Sequence, residues 1–110
     1  GCKVFRVDDT QGRLDLEEVL KVLAGEGITR LMVEGGPTVA AALVAADLVD
    51  EAVLLRAEKN IGADGIDPLE GMKLDDLSVM LQSRGTETLG ADTLETLARH
   101  NKCSPASLQI

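Results

Sequence analysis

The chain has 110 residues, 45% of them hydrophobic and 27% charged, which is the composition of an ordinary globular domain rather than a disordered segment. A net charge of −8 opposes general binding to nucleic-acid phosphates, and one Phe with no Tyr or Trp provides no stacking surface for single strands. No run of about 18 apolar residues is present, so no membrane span is predicted. We expect one domain, or part of one, with an aliphatic core.

The amino-terminal third predicts a strand followed by a capped helix. Residues 3–7 alternate between polar and apolar and favour a strand, and the turn-rich stretch 8–12 follows. Asp15 is placed to cap a helix, with Glu18 three residues later in the acidic position of a capping box. Leucines and valines then recur at helical spacing until the glycines at 25 and 27 end the helix.

The central part predicts an α/β unit. Residues 28–33 favour a strand, and the uninterrupted apolar run at 31–33 indicates burial on both faces of a parallel sheet. A double glycine breaks this strand, Pro37 suits the first position of a helix that continues to residue 46, and residues 51–57 favour the next strand. This order predicts a right-handed crossover between parallel strands.

The carboxyl-terminal part predicts a long loop and then a hairpin. Residues 59–73 contain three glycines and a proline and favour a loop with short turns. Residues 77–89 predict a strand interrupted at Gly85, with 93–97 returning as its antiparallel partner. A short helix over 92–99 is the alternative. We expect residues 1–97 to form the domain and 98–110 to form a polar, poorly ordered tail.

The stretch 33–42 is the one that predicts chemistry. A strand end, two glycines and a helix start leave unpaired amides at the positive end of the helix dipole, an arrangement suited to phosphate. A tight turn with no ligand is the alternative. Glu34 stands at the carboxyl end of the predicted strand, where open α/β sheets place ligands. A solvated strand-end carboxylate is the alternative there.

With its surroundings, this stretch resembles the reductase domain of the bifunctional riboflavin-biosynthesis deaminase/reductase, a member of the dihydrofolate-reductase-like superfamily. The likeness extends over residues 1–97. It rests on the segments Gly12-Arg13-Leu14-Asp15-Leu16, Leu31-Met32-Val33-Glu34-Gly35-Gly36-Pro37-Thr38, Ala41-Ala42-Leu43, Leu48-Val49-Asp50-Glu51, Asn60-Ile61-Gly62 and Leu89-Gly90-Ala91-Asp92.

The resemblance implies a fold, a reaction and a set of site residues. The fold is a three-layer α/β/α sandwich with a mostly parallel sheet and a carboxyl-terminal antiparallel strand or hairpin. The reaction is NADPH-dependent reduction of the ribosyl group of 5-amino-6-(5-phosphoribosylamino)uracil. Glu34 would contact the pyrimidine, and the loop from Gly62 to Gly65 would lie near the same cleft. No basic cluster that would bind the extra phosphate of NADPH is visible, and Arg56 and Lys59 are the basic residues considered for it. The implied NADPH-site residues are Gly35, Gly36, Pro37, Thr38, Val39, Ala40, Ala41 and Ala42.

We also expect a homo-oligomer with a small-molecule substrate and no metal. The two cysteines form neither a disulfide framework nor a metal-spaced cluster, which favours a cytoplasmic protein with reduced thiols. The family domain is roughly twice as long, and its other half holds most substrate contacts and the candidate general acid. We therefore expect this chain to be the carboxyl-terminal part of the reductase domain, with little turnover by itself. The alternative is a non-catalytic module for dimerisation or assembly, since uncovered strand edges favour pairing between chains. A third reading is a related reductase with another pterin or pyrimidine substrate.

The remaining reactive side chains are predicted to carry no chemistry. His100 has no nucleophile pattern near it and is expected at the surface. Cys2 and Cys103 lack an activating sequence context. The acidic loop over 64–76 lacks the spacing of a calcium loop and is expected to be solvated.

Overall fold

The structure, a computed structural model, describes residues 1–100 and divides after Gly35 into two compact units. The first unit contains strands β1 (Asp9–Thr10) and β2 (Arg13–Leu14) and helix α1 (Leu16–Gly25). The second contains helix α2 (Pro37–Ala45), strand β3 (Glu51–Arg56), a 3-10 turn (Leu74–Asp76), helix α3 (Leu77–Met80) and strands β4 (Leu81–Leu89) and β5 (Asp92–Arg99).

The first unit contains a β-hairpin with a two-residue turn. Strands β1 and β2 pair antiparallel around Gln11 and Gly12, whose φ values of +57° and +76° suit the tight turns that join twisted strands. The strand predicted over residues 3–7 is wrong. That segment has no strand beside it among the described residues to accept its hydrogen bonds, and pairing begins only within the stretch predicted as a turn.

Helix α1 begins as predicted but is capped differently. The Asp15 carboxylate accepts a hydrogen bond from the Glu18 amide at 3.1 Å, which confirms the cap. The Asp15 amide donates to the Asp8 carbonyl at 3.0 Å, so the Glu18 carboxylate instead accepts from the Asp8 amide at 3.3 Å. The reciprocal bond of the predicted capping box, from the Asp15 amide to the Glu18 carboxylate, is therefore replaced by one from the Asp8 amide. Gly27, at φ +87°, follows the end of the helix.

Residues 28–33 do not form the predicted strand. Their large apolar side chains are exposed, with values that run from 42% for Ile28 to 79% for Met32. A buried parallel strand requires neighbours on both sides to satisfy its amides and carbonyls. Among residues 1–100 every strand pair is antiparallel, so the predicted parallel sheet and its right-handed crossover are not formed.

The second unit is built on a three-stranded antiparallel sheet in the order β3-β5-β4. Helix α2 and strand β3 are confirmed with nearly the predicted bounds, and the predicted hairpin is confirmed over the alternative helix. A bulge between Ser83 and Gly85 marks the predicted interruption. Strand β5 continues to Arg99, past the predicted domain boundary, and the rest of the predicted tail lies outside the described residues.

Helix α3 replaces the first part of the predicted strand. Leu77 and Leu81 are four residues apart, so a helical turn directs both side chains to one side, where they are 3% and 1% exposed. In an extended segment the two would share a face but stand about 13 Å apart. They join Val44, Leu69 and Leu97 in one aliphatic cluster. The core that we expected is thus present, and it lies between α2 and the sheet.

Arg99 ties the end of α2 to the sheet. Its guanidinium donates to the Asp47 carboxylate at 2.7 Å and lies 3.3 Å from the Asp50 carboxylate. Its backbone amide donates to the Asp50 carbonyl at 2.9 Å. The hydrogen bond from Arg99 holds the pKa of the Asp47 carboxyl below its usual value.

Replacing Leu81 with Ala is expected to lower the free energy of unfolding by about 2–5 kcal/mol, because a fully buried leucine leaves a cavity that a packed core fills only partly. Val79→Ala is the matched control, since that side chain is 86% exposed, and it is expected to change stability by less than about 0.5 kcal/mol. Urea unfolding measures both. Equal effects of the two variants would contradict this placement of the core.

Asp47→Asn is expected to flatten the acid limb of the stability curve. Because the folded pKa of Asp47 is depressed, its contribution is present above the unfolded pKa and is lost as pH falls through the folded value. Urea unfolding of the wild type and variant from neutral to acidic pH measures the difference. Glu58→Gln is the control, an exposed carboxylate that is not in contact with Arg99. Parallel curves for wild type and Asp47→Asn would rule out the effect.

Candidate functional site

The double glycine adopts the conformation that the sequence predicts for a sharp entry into a helix. Gly35 and Gly36 have φ values of +71° and +77°, and a Cβ atom built on either would meet nothing within 4 Å. The need for glycine therefore arises from the backbone conformation, and space beside both residues is open. Gly35 ends the first unit, and Gly36 begins the second as the N-cap of α2.

The amino terminus of α2 presents backbone donors. Gly36 provides no capping side chain, and Pro37 at the first position has no amide hydrogen. The first helical hydrogen bond runs from the Ala40 amide to the Gly36 carbonyl at 3.2 Å. The amides of Thr38 and Val39 lie ahead of that bond, where a helix offers no acceptor of its own. These two amides and the helix dipole favour an anion at this position.

The side chains of α2 divide between the helix start and the core. Thr38 and Val39 are exposed, whereas Ala40 packs against the core cluster. Ala41 and Ala42 are half-buried. Of the residues that the resemblance assigns to NADPH, the exposed ones are Gly35, Gly36, Thr38 and Val39.

A carboxylate that the sequence did not single out for this site lies at the helix start. The Thr38 hydroxyl donates to the Glu70 carboxylate at 3.1 Å, across 32 positions of sequence. From the sequence, the acidic loop is a candidate only for calcium, because no local pattern signals a partner so distant. A negative side chain beside the positive end of α2 is electrostatically favourable.

A tight turn determines where Glu70 lies. The Asp67 carboxylate accepts from the amides of Leu69 and Gly71, each at 3.0 Å. Leu69 is 5% exposed and belongs to the core cluster. Glu70 itself has a φ of +51°, in the left-handed region. Asp67 is thus used as a turn-forming residue, and the turn presents Glu70 outward from a buried neighbour.

A groove of about 740 Å³ lies at the carboxyl end of β3. Pro68 lines it, two residues before Glu70, so the turn connects the groove with the start of α2. Arg56 also lines the groove, and its guanidinium donates to Glu95 at 2.7 Å, which lowers the pKa of the Glu95 carboxyl. The other lining residues are Leu55, Ala57, Lys59, Asn60, Ile61, Gly62 and Leu74.

The remaining predicted residues are placed as follows. Glu34 is exposed and belongs to the first unit. The His100 ring nitrogen Nδ1 lies 3.0 Å from the Gln82 side-chain oxygen, and Cys2 is an exposed free thiol. Cys103 lies outside the described residues. Over residues 1–100, no group of three or more His, Cys, Asp or Glu side chains is arranged to hold a metal ion.

The helices of the described residues are too short or too polar to cross a bilayer.

The structure is that of a small α/β protein with an antiparallel sheet and a helix that begins at a glycine of positive φ. The RibD C-terminal domain family matches residues 2–94, and the chain belongs to that family.

Two curated relatives are similar to it over part of their length. The riboflavin biosynthesis protein RibD of Escherichia coli K12 is 38% identical over 73 residues, which are 64% of this chain and 20% of that protein. The 2,5-diamino-6-ribosylamino-4(3H)-pyrimidinone 5′-phosphate reductase of Methanothermobacter thermautotrophicus is 34% identical over 85 residues, which are 74% of this chain and 39% of that protein. The chain thus spans about a fifth and two fifths of these relatives.

Proposed function

We propose that this chain provides the NADPH-binding part of a riboflavin-biosynthesis reductase. The single observation that carries the proposal is the start of α2, where two left-handed glycines lead into a helix with no capping side chain. The name of the Methanothermobacter relative supports a phosphorylated ribosylamino-pyrimidine as the substrate class. The family match extends across the helix start and the groove.

The residues at the helix start fit the phosphate bridge of a dinucleotide. Open space beside Gly35 and Gly36 lets a ligand approach the backbone closely, and the Thr38 and Val39 amides supply donors at contact range. Apart from the Glu70 carboxylate on Thr38, acidic charges that lie beyond about 8 Å are screened by salt. The local donors therefore outweigh this more distant acidic field.

When bound, NADPH supplies the hydride that reduces the ribosyl group of the substrate, and the residues of this chain bind and orient. We assign the backbone from Gly35 to Val39 to the phosphate bridge and the half-buried Ala41 and Ala42 to the flank of the cofactor. Ala40 supports the same helix from the core side. The Glu34 carboxylate is assigned to hydrogen bonds donated by the pyrimidine, since both oxygens of a carboxylate can accept.

The complete reaction is proposed to need more of the domain than these residues. The chain matches only parts of its relatives, and no general acid is assigned among residues 1–100. We propose that residues 28–33 pair as a parallel strand, in the three-layer arrangement of the superfamily, when neighbouring strands cover their exposed apolar side chains. We further propose a cytoplasmic enzyme, with the isolated chain showing little turnover.

Titration of the chain with NADPH, followed by backbone amide NMR, is expected to shift the signals of residues 35–42 first. Gly36→Ala is expected to weaken binding about tenfold, because a Cβ at φ +77° strains the turn and enters the space that the ligand needs. Gly25→Ala is the matched control, since Gly25 ends α1 without a positive φ, and it is expected to bind like the wild type. Unchanged amide signals at 35–42 would refute the assignment.

An assembly module is the second candidate function. Strands β3 and β4 are the edges of a three-stranded sheet, and the exposed face of β3 carries Val53 and Leu55, which are 57% and 65% exposed. An open edge beside exposed apolar side chains favours pairing with another chain.

Size-exclusion chromatography with light scattering is expected to show a dimer or larger species for this second function. Val53→Lys is expected to shift the population toward monomer, because a charge on an exposed strand opposes pairing. Val79→Lys, at a position of α3 that is 86% exposed, is the control. A monomer at all concentrations would exclude the assembly function and leave the NADPH proposal standing.

A further inference from the structure

We propose that Glu70 is a built-in competitor for the dinucleotide, whose carboxylate must leave the start of α2 before the phosphate bridge of NADPH binds there. This inference rests on the proposed function of the helix start. It goes beyond that function because it assigns a regulatory role to Glu70, which lies outside both the stretch 33–42 and helix α2.

The first step of the argument is the position of the carboxylate. Thr38 is the second residue of α2, and its hydroxyl donates to the Glu70 Oε1 atom at 3.1 Å. The backbone amide of the same residue is one of the donors assigned to the phosphate bridge. A carboxylate that accepts from the Thr38 side chain therefore lies beside a residue that an incoming phosphate would contact.

The second step is that the turn holds Glu70 in place. Leu69 is anchored in the core, and Asp67 accepts two amide hydrogen bonds around it. Met72 closes the turn by donating to the Leu69 carbonyl at 3.1 Å. The backbone of Glu70, between a buried leucine and Gly71, is therefore held near the start of α2. Its side chain is exposed and can rotate to other rotamers.

The third step is electrostatic. Two like charges about 4 Å apart repel by roughly 1 kcal/mol in water-like surroundings, which corresponds to about fivefold in affinity. Glu70 also stabilises the helix start in the absence of ligand, since a carboxylate offsets its partial positive charge. This repulsion is why the carboxylate has to move away before the phosphate binds. Removing the charge removes both the repulsion that opposes entry of the phosphate and the favourable contact that has to be broken, so NADPH binding becomes stronger.

The test compares NADPH dissociation constants of the wild-type chain, Glu70→Gln and Glu87→Gln, measured by amide NMR or calorimetry. Glu70→Gln is expected to tighten binding about fivefold, and the gain is expected to shrink at high salt. Glu87→Gln removes one exposed carboxylate from β4 and is expected to leave the affinity within twofold. Glu70→Gly, which suits the φ of +51°, is the second variant and is expected to show the same gain.

Adenosine separates competition from a structural change, because it has no phosphate. Its affinity, read from the same amide signals, is expected to be equal in the wild type and Glu70→Gln. An equal gain for adenosine and NADPH, or no gain for NADPH in either Glu70 variant, would overturn the competitor role while leaving the cofactor site intact. Absence of NADPH binding in the wild type and in both Glu70 variants would overturn the proposed function and the competitor role together.

Discussion

The turn from Asp67 to Gly71 is the constraint on which the rest of the candidate site depends. Its central residue, Leu69, is buried among the leucines of α3, β4 and β5, and Asp67 holds the backbone around it through two amide hydrogen bonds. Because Leu69 is fixed in the core, the backbone positions of its neighbours Pro68 and Glu70 are defined as well. Pro68 faces the groove at the end of β3, and Glu70 reaches the start of α2. This irregular turn thereby contacts the core cluster, the groove at the end of β3 and the start of α2.

Charge in this protein is organised locally. The chain carries 19 acidic and 11 basic residues, so an anionic ligand gains nothing from the overall field. Arg99 and Arg56 hold carboxylates of the same unit, and their charges are therefore not open to a phosphate in the way that free guanidinium groups are. The donors at the start of α2 are backbone amides, whose effect is confined to contact range. This distribution explains why a helix start, rather than a basic patch, is the strongest candidate for binding.

The two units differ in how well they bury their own apolar residues. The second unit has an aliphatic cluster with side chains that are almost completely inaccessible, whereas helix α1 of the first unit has no fully buried residue. The apolar side chains of 28–33 are likewise exposed. Large exposed apolar patches on globular proteins commonly mark interaction surfaces. The chain matches only parts of its longer relatives.

Features determined by neighbouring residues were predictable from the sequence alone. The Asp15 cap, the proline at the start of α2, the hairpin around Gly90 and the glycine-dependent entry at 35–36 all follow from short-range stereochemistry, and the structure contains each of them. The sequence predictions are wrong for the strands at 3–7 and 28–33 and for the extended form of 77–80. A strand forms only beside a partner strand. Helix α3 forms because Leu77 and Leu81 both pack into the core.

The sequence by itself determined where the backbone turns and where a helix begins with open amides, since those properties depend on a few adjacent residues. Only the tertiary structure decided which strands found partners and which carboxylate met the start of α2. Thr38 and Glu70 are 32 residues apart, and their contact exists because Leu69 has its place in the core. Long-range packing of this kind has no local sequence signal, which is the physical reason that Glu70 was found only from the fold.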